Sequence, residues 1–263
     1  MIFLQKDVSI YGIYNSKIHY FMVSKNQIKL INSLHQKKYR IEYGLFLAEG
    51  VKVVQELLQS NFKLKQLYCL EKEVFDGFED KTIIVSEAEM KKITALNTPS
   101  TCLGIFEIIK PKAIQEKGIV IVLDDIRDPG NFGTIIRLCD WFGVEQIVCS
   151  NETVDLYNPK VIQATMGSVT RVNINYCNLK DFINQTKLPV FGTFMDGENI
   201  YKSQLPKEAI LVFGNEANGI SKEIELLIKN KLSIPRFGNI QKTESLNVAT
   251  ATAIFLSEFK RNN

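Results

Sequence analysis

IPRFGNIQKTESLNVATATAIFL, Ile234 to Leu256, is the stretch that decides the fold. A short apolar run with β character, Leu232 to Ile234, stops at Pro235. A polar loop containing Gly238 leads to Ser245-Leu246-Asn247, and small and apolar residues then continue without Gly or Pro. That pattern predicts a helix over 247–260. Asn247 or Ser245 is placed to cap it, since a helix start leaves backbone N–H groups without internal partners.

The same corner occurs twice upstream. LVFGNEANGIS (Leu211 to Ser221) and IVLDDIRDPGNFGTIIRLCDWFG (Ile121 to Gly143) both pass from an apolar run through a loop rich in Gly, Asn and acids into a helical pattern. From Gly118 onward strands are predicted at 119–123, 146–149, 190–194, 209–213 and 232–234. Helices are predicted near 132–142, 159–166, 179–186, 222–229 and 247–260. Regular alternation of this kind argues for a parallel sheet covered by helices on both faces. Ligands of such sheets bind at the carboxyl ends of the strands, where all three corners would lie.

Upstream, Lys110 to Lys117 (KPKAIQEK) is polar, begins Lys-Pro, and reads as a linker. Residues 22–109 read as a small α/β/α unit. Ile28, Ile31 and Leu34 recur at helical spacing, Leu45 to Ala48 reads as a strand, and Val54, Leu57 and Leu58 share a helix face. Strands are predicted at 66–70, 82–85 and 104–109, and Ser86 to Glu89 forms a capping box before another helix. Residues 1–21 are β-prone and aromatic and lack the parts of a signal peptide. Met22 opens a fresh segment, so the expectation is that translation starts there and that 1–21 is an appendage without function.

A chain of 263 residues with 45% apolar and 23% charged residues has the composition of a globular protein large enough for two cores. No apolar run approaches the roughly 18 residues that cross a bilayer. A soluble, cytoplasmic protein is expected, without a membrane partner. Five cysteines form no CxxC pair and sit mostly in apolar runs, so they read as core residues. The two histidines, His19 and His35, are remote from the three corners. No metal site is expected, and no Ser-His-Asp triad. Net charge is +3, but Met22 to Lys65 holds eight Lys or Arg against three Glu. A basic first part points to a polyanion, with Lys37, Lys38 and Arg40 as candidate RNA contacts; a solvated lysine-rich face is the alternative.

The chain has no GxGxxG after a strand, no GxxxxGK[ST], no HExxH and no GxSxG, which disfavours the usual NAD enzymes, P-loop NTPases, zincins and α/β-hydrolases. What remains are loops of backbone donors, amides and carboxylates at an apolar sheet edge, where Gly130, Gly133, Gly214 and Gly219 permit close approach. Apolar walls with amides and hydroxyls suit a nucleoside-bearing ligand. Arg137 lies almost two turns into its helix, off the most apolar face, and is either a solvated charge or a phosphate contact.

NFGTIIR (Asn131 to Arg137), FGNEANGIS (Phe213 to Ser221), and Ile234-Pro235 with SLNVA (Ser245 to Ala249) together resemble the three motifs of the SpoU/TrmH family, SPOUT-class RNA ribose 2′-O-methyltransferases. The likeness covers about 118 to 260. The first section resembles the ribosomal-protein-like substrate-binding domain that precedes many members. The resemblance implies an α/β fold with a C-terminal trefoil knot. It also implies S-adenosylmethionine bound by Thr193, Gly214, Asn215, Gly219, Ile234 and Leu246, and catalytic roles for Asn131, Arg137, Glu216, Ser245 and Asn247. A homodimer completing the site and structured RNA as substrate are further implications, with ribosomal RNA preferred over transfer RNA. One departure stands out: nine residues, Arg236 to Glu244, separate Pro235 from Ser245, more than in many relatives. A transfer-RNA ribose methyltransferase, a base methyltransferase and a non-catalytic RNA-binding protein on the same fold are the competing readings.

Overall fold

The computed structural model describes residues 23–70, 75–238 and 245–261. The expectations for residues 1–21 and for a start at Met22 fall outside them. So do residues 239–244 of the long loop after Pro235, and with them the threading a knot requires.

The first unit runs α1 (Lys25–Ser33), α2 (Lys37–Tyr43), β1 (Leu45–Glu49), α3 (Val51–Leu58), β2 (Leu64–Cys69), β3 (Thr82–Ile84), α4 (Glu87–Ile93) and β4 (Cys102–Glu107). Its strands form one sheet in the order β1-β4-β2-β3, antiparallel except for β2 with β3. Helix α4 starts at the expected capping box: Ser86 accepts from the Glu89 N–H while the Glu89 carboxylate accepts from Ser86. Residues of α1 and α4, among them Ile31, Met90 and Ile93, pack on Leu47, Tyr68 and Leu103 of one sheet face. Val53, Val54 and Leu57 of α3 join Phe46, Leu67 and Phe106 in the core on the other face. This is the α/β/α unit read from the sequence.

The second unit runs β5 (Ile119–Leu123), α5 (Pro129–Trp141), β6 (Gln146–Cys149), α6 (Pro159–Thr165), β7 (Asn173–Tyr176), α7 (Leu179–Gln185), β8 (Val190–Asn199), β9 (Ala209–Phe213), α8 (Lys222–Glu225), β10 (Asn230–Ser233) and α9 (Val248–Lys260). The sheet order is β10-β8-β9-β5-β6-β7, and every neighbouring pair is parallel. Strands β5 and β9 are buried at every residue. Ile119, Ile121 and Leu123 face the core shared with α5, α6 and α9, and Val120 and Val122 face that shared with α7 and α8. Burial on both faces is why these strands read as unbroken apolar runs. No described helix is long and apolar enough to cross a membrane.

Several elements depart from expectation. Strand β7 was not foreseen, because its outer positions carry Asn173 and Asn175, which bond to the segment before β5 rather than to apolar neighbours. Strand β8 runs to Asn199 because β10 rejoins it after a break: Lys231 pairs with Gly192, but Leu232 pairs with Glu198. Helix α8 is one turn rather than two, since the chain turns beyond Glu225 to bring Asn230 into β10. Helix α5 starts at Pro129, earlier than read, because Asp128 caps it and accepts from the Asn131 N–H at 2.7 Å.

The two units share one apolar core. The Phe46 and Tyr157 rings are 4.7 Å apart, and the Arg171 guanidinium bridges Glu56 of α3 and Asp140 of α5. Helices α5 and α6 touch at Gly133, where a Cβ would meet the Val161 carbonyl oxygen at 2.9 Å and the Ala164 side chain closer still. Only glycine permits that approach.

Candidate active site

The three corners meet at the carboxyl edge of the parallel sheet. Asn131 donates through Nδ2 to Glu216 Oε1 at 2.9 Å, and its Oδ1 accepts from Asn247 Nδ2 at 2.8 Å. One residue from each corner is thus joined through a single amide, a group that donates at one end and accepts at the other. The orientation is fixed from both ends. A carboxylate cannot donate, so Asn131 must turn its NH2 toward Glu216. Asn247 Oδ1 caps α9 by accepting from the N–H groups of Ala249 and Thr250 at 3.0 and 3.2 Å, so its NH2 faces Asn131.

Each loop is braced from behind. In the second corner Asn215 and Gly219 exchange backbone hydrogen bonds of 2.9 and 2.8 Å, closing a tight turn around Glu216. Gly219 has φ +69°, and a Cβ on Gly214 would collide with the Gly219–Ile220 peptide. Asn215 Oδ1 accepts from the N–H groups of Ala217 and Asn218, and its Nδ2 donates to the Asp125 carbonyl at 2.7 Å. The side chain of Asn215 therefore ties the second corner to the first. The buried Asp124 carboxylate adds a second tie by accepting from the Ser221 N–H at 2.8 Å. Asp124, Asp125 and Asp128 were not singled out from sequence. Their signal was the density of aspartate directly after a buried strand.

Arg137 stands exposed on α5, two turns beyond the Asp128 cap, and forms no ion pair among the described residues. Glu216, Ser245 and Asn247 are also exposed. The edge therefore presents an exposed carboxylate and two fixed amides, and the helix that carries Asn131 also carries the exposed cation Arg137.

The residues expected to hold a cofactor lie on three adjacent strands or just after them. Thr193 sits inside β8 directly after Gly192, where pairing with β9 ends and pairing with β10 is interrupted, and its hydroxyl donates to the Val212 carbonyl at 3.2 Å. Gly214 follows β9, and Ile234 follows β10 and is half-buried. Leu246 keeps 48% of its surface exposed directly before the Asn247 cap. Aliphatic surface at Ile234 and Leu246, with backbone groups and a hydroxyl nearby, fits a nucleoside ligand. Asn215 and Gly219 use their polar groups within the loop and shape the site rather than face it.

Of the basic residues read as RNA contacts, Lys37 and Lys38 are exposed on α2, but Arg40 is not available. It is 2% exposed and ion-paired to Asp155 at 2.6 Å, and it donates to the carbonyls of Leu34 and His35 at 2.9 Å each. Its basic neighbours made it look like a surface charge, whereas it locks α2 to the second unit. Among the cysteines, Cys69, Cys102, Cys139 and Cys149 are buried and free, and burial pushes the Cys69 and Cys102 thiols up to about 12. A cavity of about 380 Å³ between the units, lined by Phe62, Tyr157 and Tyr176, shares no lining residue with the three motif corners.

The comparisons with known proteins agree with this geometry. The model of the SpoU rRNA Methylase family matches residues 118–257, and that of the MRM3-like substrate binding domain matches residues 25–104. The chain is 28% identical over 241 residues to the 23S rRNA (guanosine(2553)-2'-O)-methyltransferase RlmP of Bacillus subtilis, covering 89% of this chain and 96% of that protein. A structure assigned to the TrmH family of RNA methyltransferases, from Porphyromonas gingivalis, superposes with a TM-score of 0.83 at 35% identity, covering 92% of this chain and all of the other. The AdoMet-bound rRNA methyltransferase of Sinorhizobium meliloti gives 0.80 at 33% identity, covering 92% and 97%. With more than half its length matched by the family model and the three motif corners joined at one sheet edge, the chain belongs to the SpoU rRNA methylase family.

Proposed function

We propose that this protein is an S-adenosylmethionine-dependent methyltransferase that modifies a ribose 2′-hydroxyl of ribosomal RNA. The observation that carries the reading is the Asn247–Asn131–Glu216 relay, which holds three separate loops in register, with the exposed Arg137 on the same helix as Asn131.

When bound, S-adenosylmethionine supplies an electrophilic methyl group on a sulfonium centre. Thr193, Gly214, Ile234 and Leu246 would hold it, with Asn215 and Gly219 setting the loop. Arg137 stays protonated throughout, because a guanidinium is not deprotonated in proteins, so it is not the general base. Its fork anchors a phosphate of the substrate and faces the negative charge that develops on the attacking 2′-oxygen. The proton leaves through phosphate or water. Asn131 and Glu216 hold the loop geometry around Arg137, and Ser245 with Asn247 holds the nucleotide and the start of α9. Most of the rate gain then comes from orientation.

Ribosomal RNA is favoured over transfer RNA by the matched substrate-binding domain and by the named activity of the RlmP relative. Lys37 and Lys38 are the residues of the first unit proposed to touch it. The active form is a homodimer through the second unit, and the chain acts in the cytoplasm. Trp141 supports the dimer: it is 84% exposed and lies one turn from Arg137 on α5, a surface that a second copy would cover. A knot formed by the chain after Ile234 belongs to the same reading.

The test is to map 2′-O-methyl groups on total RNA from cells with and without the gene. Loss of one site in ribosomal RNA is the expected result. Loss in transfer RNA would keep the reaction and overturn the substrate, and an unchanged map would leave a non-catalytic RNA-binding protein.

A further inference from the structure

The segment read as a linker is a fixed strap. Residues 110–117 contain no helix or strand, yet Lys112 is tied to β7 and Glu116 to the segment between α7 and β8. The Lys112 N–H donates to Asn173 Oδ1 at 2.9 Å, and its carbonyl accepts from Asn173 and Asn175 at 3.1 and 3.0 Å. Glu116 accepts from the Thr186 hydroxyl at 2.6 Å, and the Gly118 N–H donates to Glu208 at 3.2 Å. Ordering eight residues costs conformational entropy that a simple tether would not incur.

Beside this strap runs a groove of about 480 Å³ lined by Lys110, Lys112, Lys117, Lys260 and Arg171. Glu145 is the one acid among its described lining residues. The four lysines form no ion pair among the described residues, and Arg171 is held at the groove by Glu56 and Asp140. Lys110 and Lys117 are seven residues apart on a strap without helix, which can set them up to about 24 Å from one another. Cations strung along such a length match a chain of phosphates better than a single anion.

We propose that this groove is a second RNA-binding track, which grips the phosphodiester backbone of the substrate at the sheet edge opposite the catalytic loops. The track rests on the reading of the protein as an RNA methyltransferase and extends it. About 13 Å of strand separates the two edges, so an RNA seated at the catalytic loops can extend its backbone into the groove as well.

The experiment compares the full-length protein with a Lys110→Gln, Lys112→Gln, Lys117→Gln, Lys260→Gln variant. The probes are a large-subunit ribosomal RNA transcript and S-adenosylmethionine. Affinity for the transcript should fall about tenfold or more, and the slope of log affinity against log salt should become shallower by about 1 for each lysine that meets a phosphate. S-adenosylmethionine binding should not change, and the corresponding Lys→Arg set should restore the slope. An unchanged slope and affinity for the transcript would overturn the track, even if the groove then bound an acidic protein. A Lys→Arg set that behaves like the Gln set would also overturn it, by showing disruption rather than lost charge contacts. Failure of the wild-type chain to bind S-adenosylmethionine would strike the enzyme reading and leave the salt comparison intact.

Discussion

The two edges of the parallel sheet use the same residue type to opposite ends. At the carboxyl edge, Asn247 and Asn131 form a relay that runs from the start of α9 to the exposed Glu216 carboxylate. At the amino edge, Gln146, Asn173 and Asn175 form a comparable amide cluster that closes on the backbone of Lys112. An amide network that ends on a backbone is satisfied and fixes a chain in place. One that ends on an exposed charge is held in shape and still has valences for a ligand. Where the network terminates separates scaffold from site, and the residue types alone do not.

The sharpest way to break that comparison is at Arg137. Arg137→Ala should lower methyl transfer by about a hundredfold or more, the scale for removing one donor to developing charge. Binding of S-adenosylmethionine, measured by calorimetry, should hold. Arg137→Lys should recover little, since an ammonium lacks the planar fork. Near-full activity of the lysine variant at neutral pH would refute a bidentate phosphate contact.

Next in size is Asn131. Asn131→Ala removes the amide that joins all three corners and should cost roughly tenfold to a hundredfold in kcat, as expected when reacting groups are slightly misplaced. Asn131→Asp keeps the shape but sets a carboxylate against Glu216, so it should be no better than alanine. If Asn131→Asp matched the wild type in single-turnover assays, the relay would not position the site.

Much of this edge was legible in the sequence because its signals are local. The Asn247 cap and the buried runs at 119–123 and 209–213 follow from spacing and propensity within a few residues, as does the Ser86–Glu89 capping box of the first unit. Asn131, Glu216 and Asn247 could be named from motif resemblance, but not their joining, which depends on contacts 85 and 116 residues apart. The amino edge was read poorly for the same reason. Asn173 and Asn175 look like loop residues until the strap that they hold is in view, and Arg40 looks like a surface cation until Asp155, 115 residues away, is placed beside it.

A change at the amino edge should give the reverse signature. Asn173→Ala with Asn175→Ala removes the bonds to Lys112 and should destabilise the chain by about 1–3 kcal/mol in chemical denaturation. Binding of S-adenosylmethionine should be unaffected. A variant of unchanged stability that loses cofactor binding would place function, not scaffold, at this edge.

The smallest effect is expected at the junction beside the groove, where Asp140 accepts from Arg171 Nε through both oxygens at 2.9 Å. Burial alone would raise the Asp140 pKa, but hydrogen bonds from Arg171 and Ser168 outweigh it and hold the carboxyl below its usual range. A carboxyl whose folded pKa is depressed contributes stability above its unfolded value, near about 3.9, and loses it as pH falls through the folded one. Asp140→Asn should therefore lower the urea midpoint slightly at neutral pH, and the two proteins should converge as the medium is acidified below about pH 4. Arg171 is partly exposed, so added salt should shrink the difference as well. A gap that persisted in acid would mean that Asp140 holds α5 by packing. The orientation of Arg171 at the groove would then depend on Glu56 and the Thr170 hydroxyl, and with it the charge that the amino edge presents to RNA.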